Sequence, residues 1–395
     1  MAELPVLEED LFSDDAIADP FPLYRRLRDL GPVVHLQTQG FPAVGRFADV
    51  RSVLGDASTF VSGQGVLWND VANELTRGTT LASDPPEHAQ LRKLVASRLT
   101  PRSLGVLRDE VDRKGRAVVD AALEAGEVDA VPAIAEAMPL SVVPDFLGFP
   151  EECRPHLLRW ARGGVEAGAP VSARSPQAVE AAVELGQYAG HLVATRGIAE
   201  GTLGHDVLDA LDAGVIDEQR CTALMLDYFG PSLETTLSAI GNAIALFTDH
   251  PDQWDLLRSD PEGLMASAFN EVVRLETPFR AFTRVASRDT EIDGVPVAVG
   301  TRIGVLFSSA NRDERRWDDP DAFDIARRNS DHVGLGYGEH ACAGQGLAKL
   351  EFAAVMGELA RRVERFEPAG ERVLTVSGLV RSYSSLPVRL VPARS

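Results

Sequence analysis

The sequence has few cysteines and no long apolar run, and each absence excludes a class of protein. Cys153, Cys221 and Cys342 are its only cysteines among 395 residues, too few and too widely separated for a disulfide framework or a zinc site. No apolar stretch approaches the roughly 18 residues that a membrane-spanning helix needs. The acidic N-terminus does not have the basic and then apolar order of a signal peptide. We therefore expect a protein of the reducing cytoplasm with no membrane partner.

Basic residues are also scarce. The chain has 39 Lys and Arg against 59 Asp and Glu, a formal net charge of −20. This balance argues against binding to nucleic acid, because phosphate contacts need a basic surface. A net negative charge of this kind is typical of proteins in which mutual repulsion favours solubility.

Helical periodicity is the main hydrophobic pattern of the sequence. Apolar residues recur at steps of three and four in seven segments: 20–30, 86–99, 104–124, 176–198, 218–248, 264–276 and 346–365. Strand-like segments are short, and they are 33–38, 290–300, 301–308 and 385–392. No repeat or long linker divides the chain. The sequence predicts a single domain over residues 1–395 that is mainly α with a small β sheet.

Glycines crowd around Cys342 in the segment DHVGLGYGEHACAGQGLAKLE, which continues into an amphipathic helix. Glycine permits positive φ and lets the backbone approach a flat ligand closely. A cysteine just before a helix N-terminus lies among unpaired N–H groups at the positive end of the dipole, and both lower its pKa. A thiolate ligand donates electron density to haem iron and promotes O–O cleavage. These residues alone leave two interpretations open, a haem ligand and a structural cysteine in a flexible loop.

Residues 335–344 resemble the cysteine-loop signature of the cytochrome P-450 superfamily, the haem-thiolate monooxygenases. The positions that fit the signature are Gly336, His340, Cys342 and Gly344. Leu335 stands where the family has an aromatic residue, a departure that affects the shielding of the sulfur and hence the redox potential. The resemblance implies the cytochrome P-450 fold and haem b (iron protoporphyrin IX), with the iron bound by Cys342.

Glu271 and Arg274 lie three residues apart on a predicted helix and share one face. The same Glu-x-x-Arg spacing occurs elsewhere, for example at Glu74 and Arg77. Only the 271/274 pair lies upstream of the cysteine loop at the family's separation, and Arg327 matches the third member of the family's buried charge network. The resemblance implies a structural role, since removing one member of a buried pair costs several kcal/mol.

The segment DPPEHAQLRKLV resembles the helix that presents cations to the haem propionates in this family. His88 and Arg92 are four residues apart on it and share one face. Arg284 and His332 match further propionate partners. Two buried carboxylates need such partners because unpaired buried charge is costly. The implied cofactor-binding set is His88, Arg92, Arg284, His332, Gly336, Cys342 and Gly344.

The segment DYFGPSLETT resembles the oxygen-activating part of the family's central helix. Glu234 and Thr235 keep the acid and the alcohol, which suit a catalytic proton relay. Pro231 and Ser232 replace the usual pair of a small residue and glycine. Proline within a helix removes one N–H and displaces the carbonyl four residues earlier, here that of Asp227. We hypothesise that Pro231 itself opens the groove in which dioxygen and water lie.

The resemblance also indicates which segments line the substrate pocket. The candidate residues are Val66, Leu67, Trp68, Asp227, Pro231, Ser232, Arg280, Phe282 and Tyr383. A mostly apolar pocket with few polar anchors suits a small aromatic or terpenoid-like molecule. The segments SGQGVLWND and RSYSSLPVRL resemble those of members that act on substituted benzoates.

We predict a monooxygenase that inserts one oxygen atom from O2 into a small organic substrate, by hydroxylation or O-dealkylation. The chain has no flavin domain, so the resemblance implies a monomer that receives electrons from a ferredoxin and an NAD(P)H-dependent ferredoxin reductase. A basic docking patch for the ferredoxin is expected from Lys93, Arg98, Arg102, Arg113, Lys114 and Lys349.

Two alternatives remain open, a peroxide-driven peroxygenase on the same fold and a non-catalytic haem-based binder or sensor. The Glu234–Thr235 pair favours the dioxygen route over the first, because peroxide arrives already reduced. It also argues against the second, because a binder gains nothing from delivering protons.

Overall fold

Helices make up most of the chain. The computed structural model describes residues 4–393, so the first three and the last two residues of the predicted domain lie outside it. Its helices are α1 (Asp14–Ala18), α2 (Phe21–Leu30), α3 (Phe47–Gly55), α4 (Asp70–Leu75), α5 (Glu87–Ala96), α6 (Pro101–Ala125), α7 (Ala137–Leu147), α8 (Leu157–Glu166), α9 (Ser175–Thr195), α10 (Leu203–Asp212), α11 (Glu218–Asp249), α12 (Pro251–Ser259), α13 (Pro261–Leu275), α14 (Phe307–Ala310) and α15 (Gln345–Arg362). Within residues 4–393, no helix is long and apolar enough to cross a membrane.

The strands form one sheet of six and three smaller sheets. They are β1 (Val6–Leu7), β2 (Val34–Leu36), β3 (Phe41–Val44), β4 (Phe60–Val61), β5 (Glu127–Asp129), β6 (Ala281–Ala286), β7 (Thr290–Ile292), β8 (Val295–Val297), β9 (Arg302–Leu306), β10 (Val363–Pro368), β11 (Val373–Leu374), β12 (Tyr383–Ser385) and β13 (Pro387–Pro392). The large sheet has the order β1-β2-β3-β9-β6-β4, and the others are β10-β13-β5, β7-β8 and β11-β12. The prediction of a mainly α fold with a small β component is confirmed.

Local capping signals explain where the long helices begin and end. Helix α6 begins after Thr100, whose Oγ1 accepts the Ser103 N–H at 3.2 Å, and ends at Gly126 with a φ of 71°. Helix α13 begins after Asp260, whose Oδ1 accepts the Gly263 N–H at 2.9 Å. Such side-chain acceptors satisfy N–H groups that the first helical turn leaves free. All seven predicted helical segments correspond to helices in the structure.

Helix α11 runs between two hydrophobic clusters at the centre of the molecule. Its second half, including Leu237 and Ile244, packs with α6, α13 and α15. Its first half, including Leu224 and Phe229, packs with α8, α9 and α10. A helix that is apolar on nearly all sides is stable only when it is buried. The central position of α11 therefore places the DYFGPSLETT segment inside the protein.

A buried ion-pair network joins α13 to the chain that leads to the cysteine loop. Arg274 binds Glu271 through two hydrogen bonds of 2.8 Å, with both side chains fully buried. Arg327 donates to the same carboxylate at 3.1 Å, and Arg274 also donates to the carbonyls of Asn311 and Pro320. Burial alone would raise the pKa of Glu271, but its hydrogen bonds with Arg274 outweigh this and hold the pKa below its usual value. The structure thus brings the three predicted members together.

Replacing Glu271 by Gln should lower the free energy of unfolding by about 3–5 kcal/mol, because Arg274 would keep a buried charge without a counter-ion. Urea denaturation measures this. Glu74→Gln is the matched control, since Glu74 and Arg77 have the same spacing but are exposed, and its unfolding should be unchanged within error. Equal midpoints for the two variants would contradict a structural role for the buried network.

Candidate active site

An internal cavity lies between α11 and the loop that carries Cys342. Its volume is about 670 Å³, and its walls come from α5, α9, α11, β6, α15 and the cysteine loop. Most of the lining is apolar and includes Phe279 and Phe282, whose rings stack with centroids 4.2 Å apart. A concave, mainly apolar site with a few polar groups is the usual form of a small-molecule site.

Cys342 is the cysteine that lines this cavity. It lies three residues before the start of α15, and its N–H donates to the Leu335 carbonyl at 2.8 Å, which closes the loop. Gly336 has a φ of 71°, a conformation that favours glycine. Cys153 and Cys221 are instead buried in the core, where desolvation raises the pKa of each thiol to about 11.

The pKa of Cys342 differs from the sequence-based expectation. Burial raises it, although hydrogen bonds from the backbone of Gly344 and Gln345 and the charge of Arg92 act in the opposite direction. The helix N-terminus is therefore outweighed by desolvation, and the expected lowering is wrong for the thiol by itself. Coordination to a metal removes the thiol proton outright, so the backbone donors would then stabilise the bound thiolate.

Two histidines and Arg92 meet beside the cysteine loop. Arg92 donates to the carbonyl of Ala341 at 2.5 Å, and the rings of His88 and His340 lie 4.2 Å apart. The Nε2 atoms of both histidines are buried, and no described residue gives either of them a hydrogen bond. All three bases line the cavity, so their free hydrogen-bonding capacity is available to a ligand there.

Arg284 adds a fourth base to this end of the cavity. It projects from β6 and is 3% exposed, and it donates to the Thr283 carbonyl at 2.8 Å. Burial lowers its pKa to about 10, and Asp84 is the one acid whose charge opposes this effect. A buried guanidinium without an ion pair is costly, and a bound anion would remove that cost.

Helix α11 forms the wall of the cavity on which the relay was predicted. Asp227, Pro231, Ser232 and Thr235 all line it. The Thr235 hydroxyl donates to the Pro231 carbonyl at 2.7 Å. The helix is continuous from Glu218 to Asp249, so Pro231 does not break it. The idea that Pro231 opens a groove here remains a hypothesis.

Glu234 is buried but does not line the cavity. Its carboxylate faces Arg162, with Nε 3.7 Å from Oε2, and Arg162 itself is hydrogen-bonded to Glu136. Desolvation raises the pKa of Glu234 to about 7 against the opposing charge of Arg162. An acid with a pKa near neutrality can both take up and release a proton at neutral pH.

The other pocket candidates divide into two groups. Leu67 and Phe282 line the cavity, whereas Val66, Trp68, Arg280 and Tyr383 do not. Trp68 donates from Nε1 to the Ala281 carbonyl at 3.2 Å within the core. Arg280 donates to the Ile17 carbonyl at 3.0 Å. Val66 lies in a small core cluster, and Tyr383 packs against the largest one. The prediction that these four residues line the pocket is corrected, because their side chains contact the core or the backbone of other segments instead of the cavity.

Comparison with known proteins agrees with this site. The family model described as Cytochrome P450 matches residues 263–376. The protein named cytochrome p450 CYP199A2 of Rhodopseudomonas palustris is 36% identical over 396 residues, which cover 99% of this chain and 96% of that protein. The chain belongs to the cytochrome P450 family.

Other relatives agree with this membership. Linalool 8-monooxygenase of Pseudomonas putida is 31% identical over 393 residues, covering 94% of this chain and 96% of that protein. The structure of Mycobacterium marinum cytochrome P450 CYP268A2 in complex with pseudoionone superimposes with a TM-score of 0.89 at 29% identity, covering 99% of this chain and 100% of that one. This cytochrome P450 is therefore a monooxygenase with haem b as its cofactor.

The residues around the cavity fit that cofactor. Haem b combines a flat apolar ring with two carboxylates, and the cavity combines apolar walls with four bases at one end. A Cβ added to Gly344 would meet no protein atom within 4 Å, so the missing side chain leaves space beside the cysteine. We propose that Cys342 binds the iron and that His88, Arg92, Arg284 and His340 hold the propionates.

His332 does not line the cavity, so its predicted role is corrected. Its Nδ1 accepts the Gly334 N–H at 3.0 Å, and its ring is buried near Lys349 and Arg274, whose charges add to burial in lowering its pKa to about 4. His340 takes its place among the bases of the cavity. The sequence carried this signal, since His340 occupies the basic position of the cysteine-loop signature.

Glu351 was not anticipated at all. It lines the cavity from α15, and neither of its carboxylate oxygens has a hydrogen-bond partner among the described residues. Burial raises its pKa to about 8, so the acid is mainly protonated at neutral pH. Its i,i+4 spacing from Leu347 along α15 was the only sequence signal, and such spacing is common on any amphipathic helix.

Replacing His340 by Leu should speed the release of haem roughly 10-fold, because a charge-assisted hydrogen bond contributes about 1.5–3 kcal/mol. Transfer of haem to apomyoglobin measures the rate. His332→Gln is the control and should change it less than twofold, since Gln can still accept the Gly334 N–H. Faster release from the His332 variant than from the His340 variant would indicate that His332, and not His340, holds a propionate.

Proposed function

We propose that this cytochrome P450 inserts one oxygen atom from dioxygen into a C–H bond of a small, mainly apolar molecule, by hydroxylation or with O-dealkylation. For hydroxylation, substrate R–H, dioxygen, NAD(P)H and one proton give R–OH, water and NAD(P)+. The observation that carries the proposal is that Thr235 and Cys342 line the walls of one apolar cavity. The relatives named for linalool and solved with pseudoionone support a small organic substrate.

Haem with a thiolate ligand supplies the iron that reduces dioxygen, and the thiolate promotes O–O cleavage. The chain's own residues would supply protons and exclude water. Arg162 is 39% exposed at its side chain and approaches Glu234, which is buried, so these two residues connect solvent with α11. Because Glu234 faces Arg162 in this structure, handing a proton to Thr235 requires the carboxylate to turn or a water to bridge the two.

We propose that electrons come from a ferredoxin supplied by an NAD(P)H-dependent reductase. The expected basic patch is smaller than the sequence suggested. Arg98 forms two hydrogen bonds to Asp206, and Lys114 is only 12% exposed at its side chain and is paired with Asp145. Lys93, Arg102 and Arg113 are exposed and form no ion pair among the described residues, so they are the proposed docking charges.

Thr235→Val and Glu234→Gln should each slow dioxygen-driven product formation by roughly 10²-fold, the lower end of what general acid–base catalysis contributes. The assay uses NADH, ferredoxin and reductase, with a substrate selected by optical titration of aromatic acids, phenols and terpenes. Hydrogen peroxide, which arrives already reduced, should support the same rate in the variants and in the unmodified protein.

Thr222→Val is the matched control, because Thr222 also bonds the carbonyl four residues earlier in the same helix but does not line the cavity. It should leave product formation unchanged. Turnover by peroxide alone, with no dependence on Glu234 or Thr235 under dioxygen, would identify a peroxygenase. No product under either condition would leave the binder or sensor as the function.

A further inference from the structure

The cavity is lined by groups of both signs, four bases and the acids Asp227 and Glu351. Within the described residues, its bases are His88, Arg92, Arg284 and His340. These four lie close together: Arg92 reaches the cysteine loop, the two histidine rings are in contact, and the charge of Arg284 acts on His340. We have assigned them to the cofactor carboxylates, so no base remains for an anionic substrate.

Asp227 is the acid on the α11 wall of the cavity. It lies one turn before Pro231 and two turns before Thr235, and all three line the same space. Its Oδ2 accepts the Thr80 N–H at 2.8 Å, but it forms no ion pair among the described residues. Desolvation raises its pKa, whereas hydrogen bonds with Thr80 and Leu81 and the charge of Arg92 act in the opposite direction.

Arg280 and Arg381 are not available to a substrate. Arg280 does not line the cavity and donates to Ile17. Arg381 also lies outside the lining and is paired with Glu276. The substrate side of the cavity therefore presents one acid, neutral hydroxyl and amide groups, and apolar walls.

We propose that Asp227 determines specificity, by binding the protonated nitrogen of a small apolar amine while the opposite end of the molecule is oxidised. The inference rests on the proposed function and names its substrate class. An ammonium would give Asp227 the counter-ion that the protein does not supply, and opposite charges attract more strongly in a desolvated site than in water. The apolar walls, including the stacked rings of Phe279 and Phe282, accommodate the rest of the molecule.

The same electrostatics disfavour a carboxylate at this position. A benzoate-like molecule with its carboxylate at Asp227 would place two like charges together in a desolvated site, which opposes ionisation of both. The net charge of −20 also attracts cations over a distance and repels anions. Substituted benzoates, which the sequence segments suggested, are therefore the less favourable class for this cavity.

Calorimetric titration of the haem-loaded protein tests the proposal with three ligands of one shape. Each carries a phenylbutyl chain, and the chain ends in a trimethylammonium group, a hydroxyl or a carboxylate. The quaternary nitrogen has no lone pair, so it cannot bind the iron and mimic recognition by Asp227. The ammonium should bind at least about 10-fold more tightly than the alcohol, a difference of about 1.4 kcal/mol, and the carboxylate should bind most weakly.

Asp227→Asn should abolish the ammonium's advantage and leave the alcohol within about twofold, because Asn keeps an oxygen that can accept the Thr80 N–H. Glu351→Gln removes the other acid of the cavity and should leave the order of the three ligands unchanged. Equal binding of ammonium and carboxylate to the unmodified protein would overturn the proposal. Loss of affinity for all three ligands in Asp227→Asn would also overturn it, since Asp227 would then serve only to hold Thr80.

Binding does not require turnover, so this outcome is separate from that of the proposed function. A preference for ammonium that depends on Asp227, without product formation, would support the inference and contradict the oxygenase proposal. Product formation from neutral molecules, without any preference for ammonium, would support the oxygenase proposal and contradict the role of Asp227 in specificity.

Discussion

Four basic side chains converge on one end of an internal cavity, and none of them forms an ion pair among the described residues. Burying the Arg284 guanidinium and the two histidine rings without partners is unfavourable unless an anion accepts their hydrogen bonds. The surrounding structure restricts which anion can bind, because most of the remaining wall is apolar and Cys342 lies on the adjoining loop. A flat apolar ring with carboxylates at its edge and a metal at its centre meets all of these requirements together.

The rest of the fold holds this arrangement in place. The network of Glu271, Arg274 and Arg327 fixes the segment that leads into the cysteine loop. Helix α11 crosses the core with Thr235 on the cavity and Glu234 facing Arg162. One helix can then serve two purposes, since Thr235 faces the ligand space while the neighbouring Glu234 faces a route towards solvent. Successive residues of a helix point about 100° apart, which separates the two sites.

Much of this could be predicted from the sequence, because long helices carry a clear period and the cysteine loop has fixed spacing. Helices α3, α7, α8 and α10 were not predicted, since their apolar residues follow no long periodic run and tertiary packing stabilises them. The positions of Trp68, Arg280 and Tyr383 could not be derived either, because pocket lining depends on how each element is rotated against its neighbours. His340 and His332 are both histidines near one cysteine, and only the folded loop shows which of them reaches the cavity.

We propose Cys342 as the iron ligand in a site whose bases hold the cofactor's carboxylates. Iron X-ray absorption of the haem-loaded protein tests it most directly, with Cys342→Ser as the variant and Cys221→Ser, a buried thiol of the core, as the control. We expect one sulfur among the iron's ligands in the unmodified protein and in the Cys221 variant, and none in the Cys342 variant. Sulfur retained after Cys342→Ser, or absent from the unmodified protein, would contradict it.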